Sequence, residues 1–225
     1  MSLILKLITA IIAVLFAVSI TTAQEVQTMY VMKNNAILFQ SSVSEIDSII
    51  FYEPDNPRIA GGVEINGVVW ATRNVGFPGT FVENPEETGV FYKWNRNTAW
   101  PGINPESNTW VKANDPSPVG WRVPTLAEIQ SLLDTDKVTN EWTTINGVGG
   151  RRFTDRMSGN SIFLPATGYR HNFSEMFFYA NPFGYYWSST RNSSHRAHYL
   201  HFGSDQAVWF FEEIGHGFNI RSVAE

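Results

Sequence analysis

Short apolar runs, separated by polar turn residues, make up most of this chain. Val63-Glu64-Ile65 and Val68-Val69-Trp70 flank Asn66-Gly67, a dipeptide typical of a two-residue β-hairpin turn. From a second Asn-Gly pair onward, further β-prone runs lie between Gly, Asn, Ser and Asp residues, at 162–164, 185–187, 198–202 and 207–211. The pattern predicts many short antiparallel strands.

The best helix signal extends from Thr125 to Leu133, where apolar residues recur three and four positions apart. The Thr125 side chain is expected to cap the exposed amides at the helix start, while Glu128 reaches back to the Thr125 amide. Pro124 fixes the direction from which the chain joins the helix. One or two helices beside many short strands predict an α+β fold.

Residues 76–118 contain six prolines and many Asn and Gly residues, which predicts a long irregular stretch. Long irregular stretches inside a compact domain are usually functional or poorly ordered. This one carries large aromatic residues, among them Phe91, Tyr92, Trp94, Trp100 and Trp110. These rings indicate long ordered loops.

The first 57 residues have a separate organisation. Met1–Ala23 has one charge, Lys6, and an apolar run at 7–18 that is shorter than the about 20 residues of a membrane span. Two β-prone runs, 30–32 and 37–39, flank Asn34-Asn35, and a third spans 44–52. We predict a signal peptide over 1–23, a short N-terminal β segment over 24–56 and a main domain over 57–225. These boundaries predict an exported protein that has no membrane span once the signal peptide is cleaved.

Composition removes several classes of function. Acidic residues outnumber basic ones, 21 to 16, and the net charge of −5 argues against binding to nucleic acid phosphates. The absence of cysteine excludes disulfides, cysteine-ligated zinc, iron–sulfur clusters and thiol nucleophiles. No nucleophile elbow, phosphate loop or dinucleotide fingerprint occurs. We therefore expect no catalytic residue, no cofactor and no enzymatic activity.

Three histidines, His195, His198 and His201, are spaced three positions apart. On a strand this spacing places His198 on the face opposite the other two, which does not suit a metal site, so no metal is predicted. Leu200 and Phe202 mark the core face, which leaves His201 and Tyr199 facing outward. A glycosidase is an alternative function, because such enzymes use a pair of carboxylates. The sequence contains three pairs of acids that could supply them: Glu86-Glu87, Asp134 with Asp136, and Glu212-Glu213.

Aromatic residues beside Asn, Arg and His on loops form a binding-type pattern, because such rings stack on sugars and anchor protein interfaces. The candidate ligand-binding residues are Trp94, Asn95, Arg96, Trp100, Trp110, Tyr169, Arg170 and His171. The other interpretation is that these rings form the core of a domain with little regular structure.

The stretch Asp115 to Glu128, read as DPSPVGWRVPTLAE, resembles the Fibrobacter succinogenes major paralogous domain of exported proteins from Bacteroidetes and Fibrobacteres. Five further stretches agree in order, at 70–75, 89–94, 163–170, 186–190 and 217–223. The resemblance implies a C-type-lectin-like fold, distantly similar to the formylglycine-generating enzymes. Their activity depends on cysteines that this chain lacks, so Trp121, Arg122, Pro124, Thr125 and Glu128 are expected to carry over as structural residues.

The resemblance also makes a prediction about two serines. Relatives commonly have cysteine where this chain has Ser117 and Ser222. A cysteine pair lost together implies that Ser117 and Ser222 are neighbours in the fold, with Cα atoms within about 7 Å.

Together these expectations describe an exported, non-enzymatic binding module of the cell surface, the extracellular space or the periplasm. Similar domains occur in surface adhesins and at pilus tips, so the expected partners are a glycan or a protein and, in a pilus, fimbrial subunits. Two alternatives stay open. One is a glycan-active enzyme with paired carboxylates, and the other is a structural subunit that donates its N-terminal β segment to a partner.

Overall fold

A computed structural model describes residues 28–33, 36–43, 61–102, 109–172, 177–178 and 182–225. The chain divides into two compact units, Met1–Glu53 and Pro54–Glu225. In the first unit, β1 (Thr28–Lys33) pairs antiparallel with β2 (Ala36–Ser42), so the two predicted β runs form a hairpin. The predicted signal peptide and the third β run at 44–52 lie outside the described residues.

The described residues of the second unit form four small sheets. The strands are β3 (Gly62–Ile65), β4 (Val68–Ala71), β5 (Trp121–Arg122), β6 (Val138–Ile145), β7 (Val148–Asp155), β8 (Ser161–Pro165), β9 (Tyr169–Arg170), β10 (Phe177–Phe178), β11 (Gly184–Arg191), β12 (Arg196–Phe202), β13 (Ala207–Glu213) and β14 (Val223–Ala224). They pair in the orders β3-β4-β14-β5, β6-β7-β8, β9-β10 and β11-β12-β13. Every pairing between these strands is antiparallel, and an isolated bridge between Tyr186 of β11 and Asn219 is parallel.

The Asn-Gly pairs form tight hairpin turns. Asn66 and Gly67 both have positive φ, 47° and 77°, between β3 and β4, and Asn146 and Gly147 repeat this between β6 and β7 with 49° and 83°. Positive φ at both central residues is the type I′ geometry that matches the twist of the flanking strands. The hairpin predicted at Asn66-Gly67 is confirmed. Strand β6 was not predicted from the sequence, because its residues after Val138 are polar or half-exposed and pairing with β7 defines it.

The helix α1 covers Leu126–Leu132 and begins with the predicted capping box. Thr125 donates its main-chain N–H to Glu128 Oε2 at 2.7 Å, and Thr125 Oγ1 accepts from the Glu128 N–H at 3.3 Å. Arg122 adds two hydrogen bonds to the same carboxylate, at 2.8 and 2.5 Å. Because this carboxylate joins β5 to the helix start, it also fixes where α1 leaves the sheet.

The predicted α+β class is wrong. In the part of the chain that the structure describes, α1 is the only α-helix and has seven residues, while fourteen strands form small antiparallel sheets. A helix of two turns buries only Ile129 and Leu132. It therefore adds two side chains to one hydrophobic cluster and does not form a helical layer against the sheets. The fold is mostly β, and the C-type-lectin-like class that the resemblance implied is replaced by this description. No helix among the described residues has the length and apolar character needed to cross a bilayer.

The interior of the second unit contains two hydrophobic clusters. The first includes Trp70, Ile129, Leu132, Phe153, Leu200 and Phe202. The second includes Tyr92, Trp94, Trp187, Tyr199 and Phe218. The central strand β12 contributes to both, because alternate side chains point to opposite faces. The prediction that Tyr199 faces outward is therefore wrong: its face is covered by the second cluster, and Tyr199 is 7% exposed.

A buried arginine ties the sheets together. Arg221 is 1% exposed and donates to the carbonyls of Ala71 and Phe163 and to Asn74 Oδ1, at 3.2, 3.0 and 3.0 Å. Burial lowers the pKa of Arg221 to about 10. These three hydrogen bonds connect Arg221, two positions before β14, with β4, β8 and the loop at Asn74, which explains how a polar side chain is accommodated there.

Candidate binding cleft

Two segments of the long irregular stretch and strand β9 line a cleft of about 680 Å³, called the Trp100 cleft below. Its lining residues are Thr88, Gly89, Val90, Phe91, Ala99, Trp100, Pro101 and Arg170. The two segments are joined by the main chain, since the Trp100 N–H donates to the Phe91 carbonyl at 2.8 Å. The Trp100–Pro101 peptide bond is cis. The cleft thus brings together two of the predicted binding residues, Trp100 and Arg170.

The cleft presents a cation over two aromatic rings. The Arg170 guanidinium carbon lies 5.7 Å from the centre of the Phe91 ring and 5.9 Å from that of Trp100, within the range of cation–π attraction. Arg170 exchanges two main-chain hydrogen bonds with Gly217, at 2.9 and 2.8 Å. A Cβ atom at Gly217 would lie 2.8 Å from Trp100 Cδ1 and 2.9 Å from Arg170 Cβ. Glycine therefore permits the close approach on which this arrangement depends.

The Trp100 ring is held by packing. Its indole Nε1 is buried and has no hydrogen-bond partner in the described part of the chain. An unpaired buried donor costs about 1–3 kcal/mol, so hydrogen bonding does not account for the ring's position. The position of the Trp100 ring is explained by its contacts with Gly217 and with Arg170.

Trp94 and Asn95 are buried and do not line the Trp100 cleft. They are 0% and 1% exposed. Trp94 Nε1 donates to the Ser188 carbonyl at 2.8 Å, and its ring meets the half-buried Trp110 edge to face at 5.4 Å. Asn95 accepts from the Val111 N–H at 2.8 Å and has a left-handed φ of 56°. An Asn or Trp on a loop has the same sequence signature whether it binds a ligand or holds the loop to the core.

Tyr169 and His171 flank Arg170 but belong to a neighbouring cluster of rings. Tyr169 stacks on Phe178 at 5.7 Å and meets His216 edge to face at 5.4 Å. The rings of His171 and His216 lie 4.9 Å apart. Neither predicted residue lines the Trp100 cleft.

His216 occupies the buried centre of that ring cluster. Its Nδ1 accepts from the Asn172 N–H at 3.0 Å, and its Nε2 lies 3.9 Å from Glu212 Oε1. Burial lowers the pKa of His216, while the Glu212 carboxylate acts in the opposite direction. Because Nδ1 must be unprotonated to accept, the folded state favours the neutral ring.

A second cation supports the loop that carries Trp100. Lys93 is 7% exposed and donates from Nζ to the Gly102 carbonyl at 2.9 Å. Burial lowers the pKa of Lys93, and the positive charge of the half-buried Arg96 lowers it further. Arg96 is not among the residues that line the cleft. Sequence reasoning missed Lys93 and Phe91, although both lie in the 89–94 stretch that carries part of the family resemblance.

The histidines of β12 show no metal geometry. His198 and His201 each have a buried Nδ1 without a partner among the described residues, and burial lowers the pKa of both rings. His201 is half-buried against Tyr185, with ring centres 4.8 Å apart. Among the described residues, no three or more His, Asp or Glu side chains form a group that could hold a metal ion.

A second cleft, of about 650 Å³, contains the acids Glu64, Asp136 and Asp155. Asp155 accepts main-chain hydrogen bonds from Ser158, Asn66 and Met157, at 2.8, 2.7 and 2.8 Å, and these lower its pKa to about 2. Asp155 therefore organises the surrounding turns. None of the described acids lines the Trp100 cleft.

The two serines singled out by the family resemblance are in contact. Their Oγ atoms lie 2.7 Å apart, which confirms that Ser117 and Ser222 are neighbours. The other predicted structural residues also join elements of the fold. Trp121 packs edge to face on Phe81 at 5.3 Å, and the Pro124 carbonyl accepts from the Ser189 N–H at 2.7 Å.

Comparison with known proteins adds no relative. The chain matches no protein-family model, no curated protein and no solved structure.

Proposed function

We propose that this chain is an exported, non-enzymatic binding module that holds its ligand in the Trp100 cleft. The observation that carries the proposal is the placement of the Arg170 guanidinium over both the Phe91 and Trp100 rings in one cleft. A sugar ring offers C–H faces that stack on aromatic rings and hydroxyl groups that accept from a guanidinium. The volume of about 680 Å³ falls in the usual range for small ligands, and the rings and guanidinium of the lining suit a glycan.

The cellular role we propose is that of a surface adhesin or pilus-tip subunit. It is supported by the signal-like segment at 1–23 and by the ordered motifs that resemble domains of exported proteins. In that setting the Trp100 cleft would contact host or bacterial glycans while other surfaces contact fimbrial subunits.

A glycan array probed with the purified protein tests the proposal, followed by calorimetric titration of the strongest glycan. Trp100→Ala and Arg170→Gln should each weaken binding at least about tenfold, or about 1.4 kcal/mol, because each removes a group from the cleft. Trp209→Ala is the matched control, since Trp209 is a 42% exposed tryptophan that does not line the cleft. Near-ultraviolet circular dichroism checks that all variants are folded. The proposal would be contradicted if no glycan on the array bound the protein, or if Trp100→Ala bound the glycan as tightly as the wild type.

The two alternatives stay predictions with tests of their own. A glycosidase needs two carboxylates about 5–10 Å apart across the bound sugar, and the one predicted acid that lines either cleft is Asp136. Hydrolysis of the bound glycan that disappears in Asp136→Asn would favour the enzyme. Loss of assembly on deletion of 24–56, with the second unit still folded, would favour the structural subunit.

A further inference from the structure

Strand β13 forms an edge of the sheet β11-β12-β13 and has three consecutive exposed aromatic residues. Trp209, Phe210 and Phe211 are 42%, 54% and 37% exposed. Other large exposed hydrophobic side chains in the described part of the second unit are Phe77, Val111, Val119 and Met157, and no two of these are consecutive in the chain. Contiguous exposed apolar surface of this kind marks interaction sites.

The hydrogen-bond register shows which main-chain groups face the open side of β13. The Gly203 N–H donates to the Gln206 carbonyl at 2.9 Å, and the Ile214 N–H donates to the His195 carbonyl at 3.1 Å. Between these points β12 and β13 pair without a shift, from Phe202↔Ala207 to Arg196↔Glu213. Because an antiparallel ladder alternates bonded and non-bonded pairs, the N–H and C=O groups of Trp209, Phe211 and Glu213 point away from β12.

One of these outward groups confirms the register. The Glu213 N–H donates to the side chain of its neighbour Glu212, at 3.0 Å to Oε1. An N–H group that donated to β12 would not be available to the side chain of Glu212, so the Glu213 N–H points away from β12. The main-chain groups of Trp209 and Phe211 remain as a row that no described strand pairs with.

The aromatic side chains lie on both faces of the sheet. Phe210 is opposite Tyr199 on one face, while Trp209 and Phe211 lie on the other face near His198, at ring distances of 5.4 and 6.2 Å. A partner lying flat against the sheet would cover one face only. A strand added at the edge would pair with the outward main chain and place its alternate side chains beside the aromatics of both faces.

Charge selects the kind of strand. Three acids and one cation flank the aromatic residues: Asp205 lies before β13 and Glu212 and Glu213 lie at its end. Arg196 lies opposite Glu213, with its guanidinium carbon 5.6 Å from the centre of the Phe211 ring, so the acids are in excess at this edge. Two-fold pairing of β13 with a second copy centred on Trp209 would place Asp205 opposite Glu213 of the other copy. Pairing centred on Phe210 would place Glu212 opposite Val208. The first register is disfavoured because it places like charges opposite each other, and the second because it places an acid opposite an apolar residue. A partner strand with basic side chains opposite Glu212 and Glu213 has neither problem.

We propose that β13 is a docking edge to which an extended segment of another protein adds as an antiparallel strand. Its apolar side chains lie beside Trp209 and Phe211, the intervening side chain lies beside Phe210 on the other face, and lysine or arginine at its amino end faces Glu212 and Glu213. This site is separate from the Trp100 cleft and does not depend on glycan binding.

A synthetic peptide, Lys-Lys-Val-Thr-Val-Thr-Val-Thr with a fluorescent label, is the probe, and fluorescence polarisation with the full protein is the measurement. In the proposed register its first two valines lie opposite Phe211 and Trp209, so their N–H groups face β13 and the intervening threonine N–H groups face away. N-methylation of those valines should abolish binding, while N-methylation of the first two threonines should leave it unchanged. A peptide that begins Glu-Glu in place of Lys-Lys should bind at least about fivefold more weakly at low salt.

Two protein variants complete the test. Trp209→Pro removes an outward N–H without removing a hydrogen bond to β12, whereas Trp209→Thr keeps that N–H and loses the ring. Trp209→Pro should abolish peptide binding and Trp209→Thr should only weaken it, with circular dichroism showing that both are folded. Trp100→Ala should bind the peptide as the wild type does. Equal binding of both N-methylated peptides, no binding of the lysine peptide at millimolar concentration, or dimerisation of the protein that Trp209→Pro abolishes would each overturn the proposal.

Discussion

A disulfide introduced between positions 117 and 222 should form and should stabilise the second unit. The Oγ atoms of Ser117 and Ser222 already lie 2.7 Å apart, and a disulfide bond needs its two sulfur atoms at about 2.05 Å. The two positions are separated by 105 residues. Cross-linking a loop of about 100 residues removes unfolded-state entropy worth about 4.7 kcal/mol.

Two costs reduce that figure. Replacing the serines removes one hydrogen bond worth about 1 kcal/mol, and imperfect geometry at the fully buried Ser222 costs further. We expect the oxidised double variant to gain about 3 kcal/mol, which for a domain of this size corresponds to a rise in Tm of roughly 10 °C.

The measurement compares urea unfolding of the double variant Ser117→Cys with Ser222→Cys under oxidising conditions and in dithiothreitol. The single variants are the controls, because each changes the local packing without closing a loop. Thiol alkylation followed by mass spectrometry reports whether the bond has formed. Two thiols that remain alkylatable after oxidation, or a bond that leaves stability unchanged, would refute the inferred geometry.

Three further predictions concern the helix start, the ring cluster and the cleft. Thr125→Ala removes the acceptor for the Glu128 N–H and should lower the free energy of unfolding by about 1 kcal/mol in urea titrations, while Thr125→Ser should not. Burial lowers the pKa of His216 in the folded protein. As the pH falls below about 6.5, His216 is therefore protonated in the unfolded chain before it is protonated in the folded protein, and the free energy of unfolding decreases. His216→Gln should reduce that slope by up to about 1.4 kcal/mol per pH unit, and an unchanged slope between pH 7 and pH 5 contradicts this assignment. Gly217→Ala should cost about 1–3 kcal/mol and weaken glycan binding by displacing the Trp100 ring, and wild-type affinity would show that the ring tolerates a Cβ.

Features that depend on neighbouring residues in the chain followed from the sequence. Asn66-Gly67 specifies its hairpin because both residues adopt positive φ at little cost, and Thr125 with Glu128 specifies a helix start because the two side chains satisfy each other's amides. The contact between Ser117 and Ser222 is long-range, and its prediction came from the motif resemblance.

The candidate site was predicted only in part. Trp100 and Arg170 line the cleft, whereas Trp94 and Asn95 are buried and Phe91 was missed. All are large or polar residues on irregular segments, so no local pattern distinguishes them. Their exposure depends on which distant segments cover them, as Ser188 covers the Trp94 indole nitrogen.

The sequence by itself determined the turns, the cap of α1, the approximate positions of most strands and the absence of cysteine chemistry, because local conformational preferences and composition decide these. Only the tertiary structure decided that the fold is mostly β, that both faces of β12 are covered and that Arg221 is buried among carbonyls. It also decided that Arg170 lies over the rings of Phe91 and Trp100, and that β13 is an edge strand among the described strands. Burial and pairing are properties of segments far apart in the chain, and no short stretch of sequence contains them.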